Sequence, residues 1–217
     1  MQIFHKDTRN RPFSGLKEAE IFVDRYLSKA KRCQTDAETL RFASDSVTVD
    51  GFYIELGVYK ARTINFISAL NPTKTIHGFD SFKGLPEDWE REDKAFPKTS
   101  FALKEGEIPD VNPNVVIHPG WFNRSLPVFC KKHLSSESII AFLHIDCDLY
   151  SSTREAFEHL GPYLRSGSIV IFDELYNYPG ALNHEFKAFE EFVDRTSFEV
   201  EYLAFNEQHE QVVVKIL

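Results

Sequence analysis

The chain has 217 residues, 42% of them hydrophobic and 27% charged, and carries a net charge of −8. That size suits one α/β domain with a full core, and the acidic balance argues against a general nucleic-acid grip. No run approaches the roughly 18 apolar residues of a membrane span, residues 1–7 lack the apolar core of a signal peptide, and the scattered Cys33, Cys130 and Cys147 have no metal-finger spacing, so the expectation is a cytoplasmic protein with reduced thiols and no membrane partner.

Residues 15–45 read as helical, because Leu16, Ala19, Ile21, Phe22, Tyr26 and Leu27 recur near helical spacing with charges between them. A second short helix is predicted over 36–42. The first strand is predicted over 52–56, ended by Gly57 and followed by a helix through 62–67. A second strand covers 75–80 and ends in Asp80. Residues 81–113 are polar and rich in Pro and Gly, the kind of long connection that carries function in a compact domain. A strand over 115–118 and a weak helix over 127–133 come next. Strands over 139–146 and 168–172 flank a helix over 153–164 that Ser166-Gly167 ends. A helix over 184–195 follows. The end differs: 198–203 alternates, and 211–216 resumes after a polar turn, which reads as an antiparallel hairpin. The fold class is therefore α/β, with a doubly wound, mostly parallel sheet and one reversed strand.

Two apolar runs end in paired acids: Leu143-His144-Ile145-Asp146-Cys147-Asp148 and Ile169-Val170-Ile171-Phe172-Asp173-Glu174. Ligands of open α/β sheets bind beyond the carboxyl ends of the strands. The acids therefore gather at one rim, where a cation offsets the cost of burying them together. Carboxylates without a Cys or His cluster suit a hard divalent cation, Mg²⁺, Ca²⁺ or Mn²⁺. Alternation puts Phe142, His144, Asp146 and Asp148 on one side of an extended strand. His144 reads as a core donor, Cys147 as buried, and Asp148 as a helix cap. His184, after the Asn177-Tyr178-Pro179-Gly180 loop, is within reach of the acids as a general base, with a surface helix-start histidine as the plainer alternative.

Glu55-Leu56-Gly57-Val58-Tyr59 sits where the first strand turns into a helix, and Gly57 permits close backbone approach. With Asp80 placed to accept from ribose hydroxyls, these residues point to a nucleoside-containing cofactor. A dinucleotide loop needs two further glycines, and here Tyr59 and Arg62 stand in their places. S-adenosylmethionine has no phosphate and carries cationic groups that suit Glu55. Trp121 and Phe122, after Gly120, offer a stacking surface, with core packing as the alternative reading.

Phe79-Asp80-Ser81-Phe82-Lys83-Gly84-Leu85-Pro86, Gly120-Trp121-Phe122, the block His144 to Thr153 and Phe172-Asp173-Glu174 resemble the macrocin O-methyltransferase-like family of class I S-adenosylmethionine-dependent methyltransferases, in order from about Glu55 to Glu191. The resemblance implies a Rossmann-like, seven-stranded sheet closed by the hairpin. One domain over 1–217 is expected, with a helical cap over 1–45 and a core over 46–217. The resemblance places Asp80 on the ribose; the expected cofactor-binding residues are Asp80 and Ser81 with Glu55, Gly57, Val58, Tyr59, Trp121, Phe122 and Asp146. It implies Mg²⁺ on Asp146, Asp173 and Glu174, with Asp146 as general base. The implied activity is O-methylation of a small-molecule hydroxyl, such as a sugar's, with homo-oligomerisation left open. The chain departs from better-known members at Glu174, where they have Asp, and at Cys147, where they have Gly. Two rival readings are a nicotinamide-dependent oxidoreductase and a non-catalytic cofactor-binding or assembly module of the same fold.

Overall fold

The longest apolar runs form the middle of the sheet. In the computed structural model, which describes residues 17–92 and 94–217, β2 (Phe52–Leu56), β7 (Ile140–Ile145) and β8 (Ile169–Phe172) lie side by side and parallel. Every residue of β7 and β8 is buried, as expected of strands covered by helices on both faces. Leu16 and residues 1–7, which entered the sequence reading, lie outside the described residues.

With β3 (Ile76–Asp80), β6 (Val115–Pro119), β9 (Val200–Asn206), β10 (Val212–Ile216) and β1 (Lys31–Cys33), the strand order is β1-β9-β10-β8-β7-β2-β3-β6. Among the described strands of this sheet, β10 alone runs against its neighbours. The chain winds outward from β2 through β3 and β6, then returns to the other side of β2 as β7. The carboxyl ends of β2 and β7 therefore form the topological switch point, where ligands of such sheets bind.

Helices cover both faces. One side carries α1 (Lys17–Phe22, widening to a π-helical turn over Val23–Leu27), α4 (Phe122–His133), α5 (Tyr150–Leu160) and α6 (Glu185–Thr196), packed through Phe22, Phe129, Phe157 and Phe189. The other side carries α2 (Asp36–Asp45) and α3 (Arg62–Leu70), packed through Leu40, Ile64 and Ile67. Among the described residues, no helix is long and apolar enough to cross a membrane.

Three expectations need correction. Among the described residues the sheet has eight strands, not seven, because Lys31–Cys33 is not helical but pairs parallel to β9. A free sheet edge recruits a short segment with no period of its own, and Arg32 lies over the Phe205 ring at 5.4 Å. The N-terminal segment is thus part of the sheet rather than a purely helical cap. Helix α4 begins at Phe122, with Pro127 inside it. Burial of Leu126 and Phe129 overrides the local penalty of the proline. Helix α2 extends to Asp45, with Thr35 capping it by accepting from the Glu38 N–H at 3.1 Å.

Candidate active site

The carboxyl ends of β2, β3, β6, β7 and β8 open onto one cleft of about 230 Å³. One half is lined by Gly57, Tyr59, Asp80, Gly120, Trp121 and Phe122, the other by Asp146, Asp148, Asp173 and Glu174. Leu85, Pro86 and Phe101 line it from the 81–113 connection. That connection is ordered around its own small core. Trp89 of β4 (Trp89–Glu90) stacks on Phe96 of β5 (Ala95–Phe96) at 4.9 Å and packs with Leu149, Tyr178 and Ala181.

The cofactor-facing half is built on Asp80. Its Oδ2 accepts from the backbone N–H groups of Val58 (2.8 Å) and Tyr59 (2.7 Å), and its Oδ1 accepts from Phe82 N–H (2.7 Å). The carboxylate therefore holds the β2–α3 turn against the β3 end before any ligand arrives. Ser81 Oγ donates to the Gly84 carbonyl and accepts from Lys83 N–H. Of the predicted cofactor residues, Gly57, Tyr59, Asp80, Ser81, Trp121, Phe122 and Asp146 line the cleft. Val58 and Glu55 do not. Val58 contributes its N–H while its side chain is buried in the core. Glu55 is fully buried, with both carboxylate oxygens engaged: Thr63 Oγ1 donates to Oε1 at 3.0 Å, and His144 Nδ1 is 3.0 Å from Oε2.

The acidic half rests on a polar chain that crosses the sheet in register. Glu55 sits opposite His144 on β2 and β7. His144 Nε2 faces Asp173 Oδ1 at 3.6 Å, and Gln211 Nε2 donates to that same oxygen at 2.5 Å. Burial disfavours a charged His144, but Asp173 and Glu55 outweigh it and hold the imidazole well above its ordinary range. Burial also opposes the Asp173 carboxylate, yet His144 and Gln211 keep its pKa below the ordinary value. Asp146 and Glu174 are raised well above theirs, by burial first and then by the Asp173 charge. Asp148 is pushed up to about 7 by the same two causes.

The structure redistributes the predicted roles. His144, Asp146 and Asp173 bring one potential ligand atom each within 4.8 Å of one another. Glu174 lines the cleft but does not join that group, although its Oε2 is buried without a hydrogen-bond partner. Asp148 does not cap α5, whose preceding residue, Leu149, makes no side-chain cap. Its backbone is left-handed (φ 65°), which ends the extended alternation, and it lines the cleft. His184 is not among the lining residues; it packs against the Trp89 and Tyr178 rings, each at 6.1 Å. Sequence reasoning placed His144 beside Asp146 by strand alternation and read it as a core donor, and it passed over Glu155. Glu155 of α5 and Asn123 of α4 both line the cleft, a convergence of distant segments that no local pattern carries.

A model of the macrocin-O-methyltransferase (TylF) family matches residues 34–199. The chain belongs to this family. A curated relative, the 8-demethyl-8-(2,3-dimethoxy-alpha-L-rhamnosyl)-tetracenomycin-C 4'-O-methyltransferase of Streptomyces olivaceus, is 26% identical over 159 residues, covering 63% of this chain and 59% of that protein. The chain thus spans less than two thirds of that relative's length. Among solved structures, the calicheamicin methyltransferase CalS11 superimposes with a TM-score of 0.64 at 26% identity, over 83% of this chain and 78% of that one. The O-methyltransferase NovP gives a TM-score of 0.60 at 22% identity, over 82% and 78%, a likeness of fold. Membership of a methyltransferase family, together with the missing second and third glycines, leaves the nicotinamide reading without support.

Proposed function

We propose that this protein transfers a methyl group from S-adenosylmethionine to a hydroxyl of a small molecule, in the class of a sugar or glycosylated natural product. The observation that carries the reading is the joining of two half-sites in one cleft: Gly57, Tyr59, Asp80 and Trp121 on one side, and Asp146, Asp148, Asp173 and Glu174 on the other. The sugar class rests on the named activity of the curated relative.

S-adenosylmethionine, when bound, supplies the methyl group from a sulfonium that departs as a neutral thioether. Asp80 retains acceptor capacity on Oδ1 for a ribose hydroxyl, and Trp121 and Phe122 flank the space for the adenosine. Asp146 and Asp173 are the carboxylates suited to a divalent cation, which would supply Lewis acidity toward the acceptor hydroxyl. Asp148, held in the cleft by its left-handed backbone, takes the hydroxyl proton in place of Asp146 and His184. Leu85, Pro86 and Phe101 exclude water, so that the chain's main contribution is alignment of acceptor and donor.

Calorimetric titration with S-adenosylhomocysteine and with NAD, followed by radiolabelled methyl transfer to a panel of sugar nucleotides and glycosides, tests this. Saturable binding of the first ligand only, with label incorporated into a hydroxylated acceptor, is expected. Absence of S-adenosylhomocysteine binding overturns the reading, and binding without transfer across the panel favours a non-catalytic module.

A further inference from the structure

Three histidines outside the cleft meet on the α4 face of the sheet. His77 of β3 and His118 of β6 stand on adjacent parallel strands, and the register that sets His77 beside Val116 and Phe79 beside His118 puts both side chains on one face. His77 Nδ1 lies 3.0 Å from His118 Nε2. His133, in the last turn of α4, reaches the same place: its ring centre is 6.0 Å from that of His77 and 6.4 Å from that of His118. We propose that His77, His118 and His133 form a binding site for a transition-metal cation such as Zn²⁺, separate from the acidic rim of the cleft, which none of the three lines. The proposal does not depend on the methyltransferase reading.

Three observations support it. First, the spacing is that of ligands. Two nitrogens each about 2.0–2.1 Å from one ion lie about 3 Å apart, and the His77–His118 pair has that separation. Three imidazoles on one tetrahedral ion have ring centres about 5 Å apart; here the rings stand at 5.3, 6.0 and 6.4 Å. His133 is the widest of the three and is exposed, so a turn of its side chain closes the gap. Second, the rings carry free lone pairs. Burial, and then the neighbouring charges of His118 and His133, hold His77 at about 4, and burial with His133 and Lys132 holds His118 below its ordinary value. Both are therefore neutral at pH 7, the form in which imidazole binds a metal. In the ion-free chain one ring donates its N–H to the other; an ion takes a lone pair from each. Third, the rings are braced and the site is open at one end. Phe129 packs against His77, His118 and His133 at 4.9, 5.2 and 5.0 Å, and Phe79 stacks on His118 at 4.5 Å. His77 is buried at the bottom, His118 is half-buried and His133 is exposed, which leaves a path from solvent. An all-imidazole donor set favours Zn²⁺, Co²⁺, Ni²⁺ or Cu²⁺ over Mg²⁺ and Ca²⁺, which take oxygen ligands. An ion there ties β3 and β6 to the end of α4, the helix whose first residue, Phe122, walls the cleft.

The test uses the full chain, treated with a chelator, held in excess Mg²⁺ and titrated calorimetrically with Zn²⁺. Nitrogen-15 NMR of labelled histidine side chains follows the same titration. Saturable Zn²⁺ binding in the presence of Mg²⁺ is expected, with shifts of the ring nitrogens of His77, His118 and His133. His118→Gln and His133→Gln, at the two positions that reach solvent, should each weaken Zn²⁺ binding at least about tenfold, since even a partner behind a metal ligand is worth that much. Asp173→Asn should leave this binding unchanged. Absence of Zn²⁺ binding in excess Mg²⁺ overturns the proposal. Binding that Asp173→Asn removes and the histidine variants do not assigns the ion to the acidic rim and overturns it too. Binding that survives His133→Gln unchanged removes the third ligand and with it the site as proposed. The wild-type nitrogen shifts decide alone if a histidine variant does not fold: Zn²⁺ bound without a shift at His77 and His118 overturns the assignment.

Discussion

A Cβ placed on Gly57 would lie 1.6 Å from the carbonyl oxygen of Asp146. Gly57 also has φ 88°, a conformation that side chains resist. The sequence reading assigned this glycine to close approach of a ligand, but the closest approach is to the backbone that carries the first acid. Gly57 thus seats the end of β2 against the end of β7 and sets the distance between the cofactor half and the acidic half. Gly57→Ala should displace Asp146, lower stability by at least about 2 kcal/mol and abolish S-adenosylhomocysteine binding. Urea unfolding and calorimetry check both effects. A variant with wild-type stability and affinity would show that the two strand ends are not coupled in this way.

Asp148 and Asp80 separate chemistry from binding. Asp148 lines the cleft from a left-handed backbone and makes none of the turn-holding contacts that Asp80 makes. Asp148→Asn should lower kcat by about 10²- to 10⁴-fold while S-adenosylhomocysteine affinity changes little. Asp80→Ala should do the reverse first, weakening cofactor binding because three backbone N–H groups lose their acceptor and the turn at Val58 and Tyr59 loosens. Equal loss of cofactor binding in both variants would remove Asp148 from the proton-transfer role.

The central strands were legible because burial on both faces leaves a continuous apolar run, as in Ile140–Ile145 and Ile169–Phe172. The acids at their ends followed, and with them the rim of the site. Strand β1 was not legible, since Lys31, Arg32 and Cys33 gain strand geometry only from the exposed edge of β9. The setting of His144 was hidden for a similar reason. What distinguishes it from a core histidine is Glu55, 89 positions away, and the register of β2 on β7 that sets the two side by side. Asp148 was misread as a helix cap because α5 begins only after Leu149, and the positive φ that turns Asp148 into the cleft has no signature at a non-glycine residue.

The β4–β5 hairpin is anchored to the turn between β9 and β10 by a buried ion pair. Arg91 donates from Nη1 and Nη2 to the two carboxylate oxygens of Glu210, each at 3.0 Å, and its guanidinium lies 3.9 Å from the Tyr178 ring centre. Both side chains are at most 10% exposed. Arg91→Ala leaves a buried carboxylate uncompensated and should cost about 3–5 kcal/mol, whereas Arg91→Met combined with Glu210→Leu should lie near the wild type. Limited proteolysis within residues 81–113 should speed up in the single variant and return toward normal in the double one. A double variant as unstable as the single would show that packing, rather than charge pairing, holds the hairpin.

On the opposite side of the sheet from α2 and α3, His77 Nδ1 lies 3.0 Å from His118 Nε2. Burial, and then the neighbouring His118 and His133 charges, push His77 down to about 4, while an unfolded histidine titrates near 6.5. Between those two values the unfolded chain binds the proton that the folded chain refuses. Stability from this residue is therefore fully present above pH 6.5 and is lost as pH falls toward 4. His77 is buried but its partner His118 is only half-buried, so the loss should be about 2 kcal/mol rather than the full value of the shift. Carboxyls with raised pKa values, such as Asp148, act in the opposite direction, but they cancel when two variants are compared. Urea stability should therefore fall less in His77→Gln than in wild type between pH 7 and pH 4.5. Parallel pH profiles for the two proteins would show that His77 carries no part of the acid sensitivity.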